Sequence, residues 1–391
     1  MNEGYVDSMS AEKNPQAFIY GYFGQKNTGD DSILWGLLSE ICQRVPDIRL
    51  KILSREPCKL PESVQPRAEF VRTSIFDALK SLSSSQLLIF AGGTHMHDDD
   101  AKSSRRAMTV IRILGLTVLA KLLRINVAHI SIGIGPMRRK DFRLFANLSI
   151  RLADFVSVRD RASAAELKAM GSSPDTVIGY DASLLLNPCD DEIETEGHDK
   201  SIGISVLPFK TIYGPDYEGD EKWLRALSSA LKNTLAENPG LRLRVLEFSA
   251  NDVYGDRQIS EDLVVGIGMP EVTSIVPYSE DPCRMIREVA SCDYFVGMRY
   301  HSSLFAISEH VPCVVLAYAS KCSSLAADFG LTRSVVLQME MENEQLLAAF
   351  LRNLVRQPDR YVSYMGREDQ IERALHGIPS APLFDRWVRR G

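Results

Sequence analysis

"VGMRYHSSLFAISEHVPCVVLAY", residues 296–318, decides how this chain folds. It reads as the end of a buried strand, a turn carrying Arg299 and His301, a short helix, and a second buried strand. Apolar strands joined through helices belong to a parallel sheet that is covered on both faces. The turn places a guanidinium and an imidazole at the positive end of a helix. Together they make an anion site in which the imidazole can also move a proton. Ser302 and Ser303 follow as candidate caps of that helix.

The same alternation extends in both directions. "AFIYGYFG" (17–24) precedes a helix with Ile33, Leu34, Leu37, Leu38 and Ile41 on one face. "IRLKILS", "QLLIFAGG", "NVAHISIGIGP", "FVSVRD" and "DTVIGYD" follow as further strands. "NPCDDEIETEGHDK" (187–200) is acidic and polar, as a linker would be. Beyond it the pattern restarts with "SIGISVL", helix 222–237, "LRLRVLEFS", "VTSIVPYS", helix 282–291, "DYFVGM", "PCVVLAY" and "SVVLQM". The expected architecture is α/β, with two Rossmann-like domains facing a central cleft at the carboxyl ends of their strands. The expected divisions are a disordered segment 1–16, domains at 17–190 and 198–370, and a helical segment 371–391. That last segment is broken at Pro379 and Pro382 and is expected to cross back to the first domain.

Composition bounds the function. Of 391 residues, 45% are hydrophobic and 25% charged, which is a globular balance. The seven cysteines are scattered without a CxxC pair, favouring reduced thiols over a disulfide framework or zinc site. "MNEGYVDSMSAEKNPQ" has no apolar core and is not a secretory signal, so a cytoplasmic location is expected. "AMTVIRILGLTVLAKLL" (107–123) is interrupted by Arg112 and Lys121 and is too short to span a bilayer. Charge is unevenly distributed: residues 101–160 hold twelve Lys/Arg against three Asp, a net +9 in a chain of net −6. That segment is either a solvated helix face or an attractor of phosphates or of an anionic membrane surface. Met108, Ile111, Leu114, Val118 and Leu122 share helical spacing there, which suits a core helix or a peripheral membrane contact.

In an open parallel sheet the chemistry collects after the strands. "GYFGQKNTGDDSIL" offers Gly24, Asn27, Gly29, Asp30 and Asp31 at the start of a helix, the aspartates as caps or as a base. It fits neither GxGxxG nor a Walker loop, so no dinucleotide or nucleoside triphosphate is indicated. In "AGGTHMHDDD", Gly92, Gly93 and Thr94 suit backbone contact with a ligand. His95 and His97 there invite a metal but lack a metalloenzyme pattern, and no metal is expected. "GIGP" (133–136) closes another strand in the same manner. "SVRDRAS" supplies Arg159, whose planar fork suits a carboxylate or phosphate. "ASK" brings Lys321 to the edge that holds Arg299 and His301.

In order and spacing these motifs resemble the polysaccharide pyruvyl transferase family. The resemblance covers about residues 17–335, including "YDASLLL" and "GMRYHSSLFAISEHVPCVVLAYASK". "AGG" departs from the usual glycine triplet, Tyr300 from leucine and Asp31 from glutamate. The family implies a GT-B-like fold, phosphoenolpyruvate as donor substrate without a cofactor, and a sugar acceptor that is lipid-linked, nucleotide-linked or part of a glycan. It implies donor contacts from Arg159, Arg299, His301 and Lys321, to which Ser302 is added from its place in the turn. Ketal formation needs a cationic clamp, a proton donor and a base, which Arg299, His301 and Asp30 or Asp31 can supply. A glycosyltransferase using a nucleotide sugar, or a noncatalytic glycan-binding protein of the same fold, are the alternatives; neither requires nucleic acid.

Overall fold

The structure, a computed structural model, describes residues 14–97, 103–172, 176–187, 199–214, 217 and 219–389. Most of the expected disordered segment 1–16, most of the expected linker, and Asp98–Asp100 lie outside the described residues.

The first half is β1 (Gln16–Phe23), α1 (Thr28–Arg44), β2 (Arg49–Ser54), β3 (Ala68–Arg72), α2 (Ile75–Ser83), β4 (Leu87–Ala91), β5 (Thr94–Met96), α3 (Ser103–Leu122), β6 (Asn126–Ile134), α4 (Lys140–Leu152), β7 (Phe155–Val158), α5 (Arg161–Ala169) and β8 (Val177–Ile178). The second is β9 (Ser201–Ser205), α6 (Lys210–Tyr213), α7 (Glu221–Glu237), β10 (Arg242–Leu246), α8 (Arg257–Ile267), β11 (Thr273–Val276), α9 (Pro282–Ala290), β12 (Tyr294–Gly297), α10 (Tyr300–Ser308), β13 (Cys313–Ala317), α11 (Ser320–Asp328), β14 (Val335–Leu337) and α12 (Glu344–Arg356), followed by α13 (Arg367–His376) and α14 (Ala381–Val388).

Two parallel-sheet α/β domains result. The first sheet runs β3-β2-β1-β4-β6-β7-β8, with β5 beside β6, and the second β11-β10-β9-β12-β13-β14. Each strand order reverses beside its first strand, which opens a crevice above the carboxyl ends. β4 and β13 are buried at every residue, as expected for strands covered on both faces.

One apolar core joins the halves. Ile33, Leu34 and Leu37 of α1 belong to the same packed cluster as Met285 of α9 and Leu304 and Phe305 of α10. Backbone bonding reinforces this contact, with Thr28 N–H donating to Phe248 C=O at 3.0 Å and an antiparallel bridge pairing Asn27 with Ser249. The β1–α1 turn is therefore pinned beside the β12–α10 turn.

The C-terminal helices return to the first half. Arg389 pairs with Asp47 at 3.0 Å, and Gly179 meets Gly377 so closely that a β-carbon would lie 2.4 Å from its Cα. Pro379 lies in the break between α13 and α14. Pro382, expected to mark the break too, stands instead in the first turn of α14, where a missing N–H costs nothing.

Candidate active site

The carboxyl ends of the two sheets enclose a cleft of about 1070 Å³. Asn27, Gly29, Asp30, Gly93, Thr94, Arg159, Arg299, His301 and Lys321, all singled out in the sequence, line it.

Two helices aim their N-termini into this space. α10 begins after Arg299 and α11 after Ala319, and neither has a side-chain N-cap. Their first-turn residues Tyr300, His301, Ser320 and Lys321 line the cleft. Uncapped N–H groups and the helix dipole favour an anion there. Ser302 and Ser303, expected as caps, lie one turn too late. Ser302 Oγ donates to Arg299 C=O at 2.8 Å and pairs with Ser205, while Ser303 Oγ donates to Gly297 C=O at 3.1 Å. Both hydroxyls are buried, so the Ser302 side chain is no donor contact.

Arg299 is held from behind. Its Nε donates to both carboxylate oxygens of the fully buried Asp256, at 2.7 and 2.9 Å, and Nη2 donates to Tyr254 C=O at 3.2 Å. Asp256 also accepts from the Phe248 and Ser249 N–H groups at 2.9 and 3.0 Å. Sequence reasoning missed Asp256, because the "NDVYGDRQ" loop that carries it matches no pattern and meets Arg299 only through folding.

A second set of charges lies opposite. Asp181 is buried between Arg159 Nη1, 3.3 Å away, and His301 Nε2, 3.5 Å away, and accepts from Ser183 N–H at 3.0 Å. Burial works against its ionisation, yet His301, Arg159 and the Ser183 amide hold this carboxyl well below the usual range. Asp181 belongs to "YDASLLL", whose resemblance was legible although its role was not. Arg159 is itself almost fully buried. It stacks on the Tyr300 ring at 4.2 Å, approaches Asp160 at 3.6 Å and donates to Thr94 Oγ1 at 2.7 Å. Asp160 caps α5 by accepting from Ser163 N–H at 2.6 Å.

The two neighbouring aspartates diverge. Neither caps α1; Asn27 does, accepting from Gly29 N–H at 3.1 Å and donating to Asp30 Oδ2 at 2.6 Å. Asp30 reaches the cleft, whereas Asp31 turns into the interior, where Tyr278 O–H donates to it at 3.2 Å. Burial and the charge of Asp31 push the Asp30 carboxyl up to about 6, against the pull of His301, Lys321 and Arg159. Burial, with Glu280 adding to it, pushes Asp31 to about 7, opposed by the Tyr278 and Asn27 bonds. Of the two aspartates expected as a base, only Asp30 lines the cleft.

The glycines also divide. A β-carbon on Gly29 would lie 2.0 Å from His301 Nδ1, so glycine is what lets α1 close onto the imidazole. Gly24 and Gly92, expected at the ligand, do not line the cleft. Both have positive φ, and a β-carbon there would strike Glu56 C=O and Ile33. Among the described residues no group of three His, Cys, Asp or Glu forms a metal cage; His97 lines the cleft, and Asp98–Asp100 lie outside those residues.

Solved structures share this architecture. UDP-GlcNAc 2-epimerase from Methanocaldococcus jannaschii superposes with a TM-score of 0.60 at 10% identity, covering 92% of this chain and 98% of that one. The Neisseria meningitidis UDP-GlcNAc 2-epimerase bound to UDP-GlcNAc gives 0.58 at 11% identity, covering 96% and 99%. Anabaena HepE in complex with UDP and glucose gives 0.54 at 11%, covering 95% and 97%. These likenesses establish the GT-B-like fold and nothing finer. No curated protein matches the chain by sequence. The family model for polysaccharide pyruvyl transferase matches residues 27–320, from the Asn27 cap on one wall of the cleft to the first turn of α11 on the other, and the chain belongs to that family.

Proposed function

We propose that this protein moves the enolpyruvyl-derived group of phosphoenolpyruvate onto two hydroxyls of a sugar, forming a pyruvate ketal and releasing phosphate. The observation that carries the reading is the convergence of two uncapped helix N-termini with Arg299, His301 and Lys321 on one cleft, opposite a carboxyl near 6. Phosphoenolpyruvate bears a carboxylate and a phosphate, and two amide-lined helix ends with two cations suit two anionic groups.

Asp30 takes the proton of the first sugar hydroxyl as its oxygen bonds to C2 of the donor, and His301 delivers a proton to the C3 methylene. The second hydroxyl then attacks C2 as the C2–O bond to phosphate breaks. The two hydroxyl protons are thus balanced by one gained at carbon and one released with phosphate. Lys321 and the helix termini stabilise the departing phosphate. Asp181 acts as a positioning residue that orients the imidazole, and Arg159, buried against it, sets Asp181 in turn. This modifies the sequence expectation for Arg159, whose guanidinium is already engaged by two carboxylates.

Incubation of the purified protein with phosphoenolpyruvate and a panel of nucleotide- and lipid-linked sugars tests the reading. Phosphate release and a new methyl signal of the ketal are expected, both absent in His301→Ala and Arg299→Ala. Transfer of a sugar from a nucleotide donor without phosphoenolpyruvate would replace the proposal with glycosyl transfer.

A further inference from the structure

The cleft, about 1070 Å³, lies at the upper end of the ~300–1,000 Å³ usual for a small-molecule site, and much of its wall is apolar. It continues between α2 and α3, where Leu53, Ala78, Leu79, Gly115, Leu116 and Leu119 line it. Arg112, hydrogen-bonded to the Tyr20 hydroxyl, lies along the same wall.

α3 presents three faces. Val110, Ile113 and Ala120 are buried against the sheet, while Thr109, Arg112, Gly115 and Leu119 line the groove. Met108, Ile111, Val118 and Leu122 form a stripe of exposed apolar side chains, 57%, 45%, 37% and 76% accessible. Across the groove, Ile75 and Phe76 of α2 are 71% and 81% accessible. Side chains of this size in such numbers beside one opening mark a surface that is covered in use.

Gly115 adds an independent sign. It stands in the middle of a 20-residue helix, where glycine is unfavourable relative to alanine. A β-carbon there would meet nothing within 4 Å, so packing does not require glycine. The helix wall stands open at this position, with room for a larger group.

We propose that the groove between α2 and α3 binds the hydrocarbon chain of a lipid-linked sugar acceptor, with the exposed α2 and α3 side chains resting on an anionic bilayer. Charge selects this occupant. The sequence of α3, Ser103–Leu122, holds four Lys/Arg and no Asp or Glu, which attracts anionic lipid and would repel α3 of a second copy. No helix among the described residues is long and apolar enough to cross a membrane, so the contact is peripheral. Continuity with the cleft places the sugar at the end of the chain beside Asp30 and His301.

The proposal rests on the pyruvyl transfer reading, but its test needs no turnover. Binding of a fluorescent polyprenyl phosphate is measured for the intact protein, for Gly115→Trp, which fills the groove, and for Gly115→Ala as the control for the helix. Gly115→Trp is expected to weaken probe binding at least tenfold and Gly115→Ala to leave it unchanged. Leu79→Glu gives the same loss if the tryptophan variant does not fold. Sedimentation with phosphatidylglycerol vesicles is expected at low salt, to fade at high salt, and to fall in Phe76→Glu/Leu122→Glu; phosphatidylcholine vesicles are expected to bind little. Probe binding that survives both Gly115→Trp and Leu79→Glu overturns the groove. Self-association through α3 without vesicle binding would assign the face to a second copy instead. Because binding and turnover are read separately, an inactive protein that binds the probe contradicts only the catalytic reading.

Discussion

Replacing Asp256 by alanine should unfold this protein far more readily than the loss of one side chain implies. The carboxylate is fully buried and accepts five contacts: two from Arg299 Nε, at 2.7 and 2.9 Å, one from Arg299 Nη2, and one each from the Phe248 and Ser249 amides. Truncation strands a guanidinium whose side chain is only 16% exposed, together with two backbone donors. Removing one member of a buried ion pair costs about 3–5 kcal/mol, chiefly because the surviving charge loses its partner. Arg299→Met removes that stranded charge. The double variant should therefore lose less than the two single losses combined, by a coupling of about 0.5–3 kcal/mol. Urea unfolding followed by circular dichroism measures all four proteins of the cycle. A loss below about 1 kcal/mol for Asp256→Ala, or strict additivity, would refute the claim that Asp256 holds Arg299 in place.

Four other outcomes follow from the site. With Asp30 as the base and its carboxyl near 6, kcat/KM should fall as pH drops below about 6 and level off above it; Asp30→Asn should lose that limb and ~10²–10⁴-fold in rate. Asp31 has a folded-state value near 7, raised from 3.8, so folding disfavours its ionisation and stability declines as pH rises through that window. Asp31→Asn should accordingly be near neutral in thermal unfolding at pH 4 and stabilising at pH 8, by up to about 1.4 kcal/mol per unit of the raised value. Lys321→Ala should weaken phosphoenolpyruvate in calorimetry by roughly 1.5–3 kcal/mol while sparing the acceptor. Gly29→Ala, whose β-carbon would lie 2.0 Å from His301 Nδ1, should abolish phosphate release in an otherwise folded protein.

The repeated order of apolar strand and amphipathic helix was enough to establish two parallel sheets, since both periodicities are local and a parallel connection needs an intervening helix. Arg299, His301 and Lys321 were legible for a related reason. In such a sheet the turns after the strands must share one edge, so sequence position alone brings their residues to the crevice.

Facing was not legible. Asp30 and Asp31 are adjacent, and only the rotation of α1 against Tyr278 sends one into the cleft and the other into the interior. Ser302 looked like a cap until the helix start at Tyr300 placed its hydroxyl against Ser205. The stripe Met108, Ile111, Val118 and Leu122 has the spacing of a core face, yet Val110, Ile113 and Ala120 took the core and left that stripe exposed. The partners Asp256 of Arg299 and Asp181 of His301 lie 43 and 120 positions away along the chain. Periodicity is a property of neighbouring residues, whereas the desolvation and pairing that tune a charge depend on which distant segments pack beside it, and those exist only once both sheets have closed on one cleft.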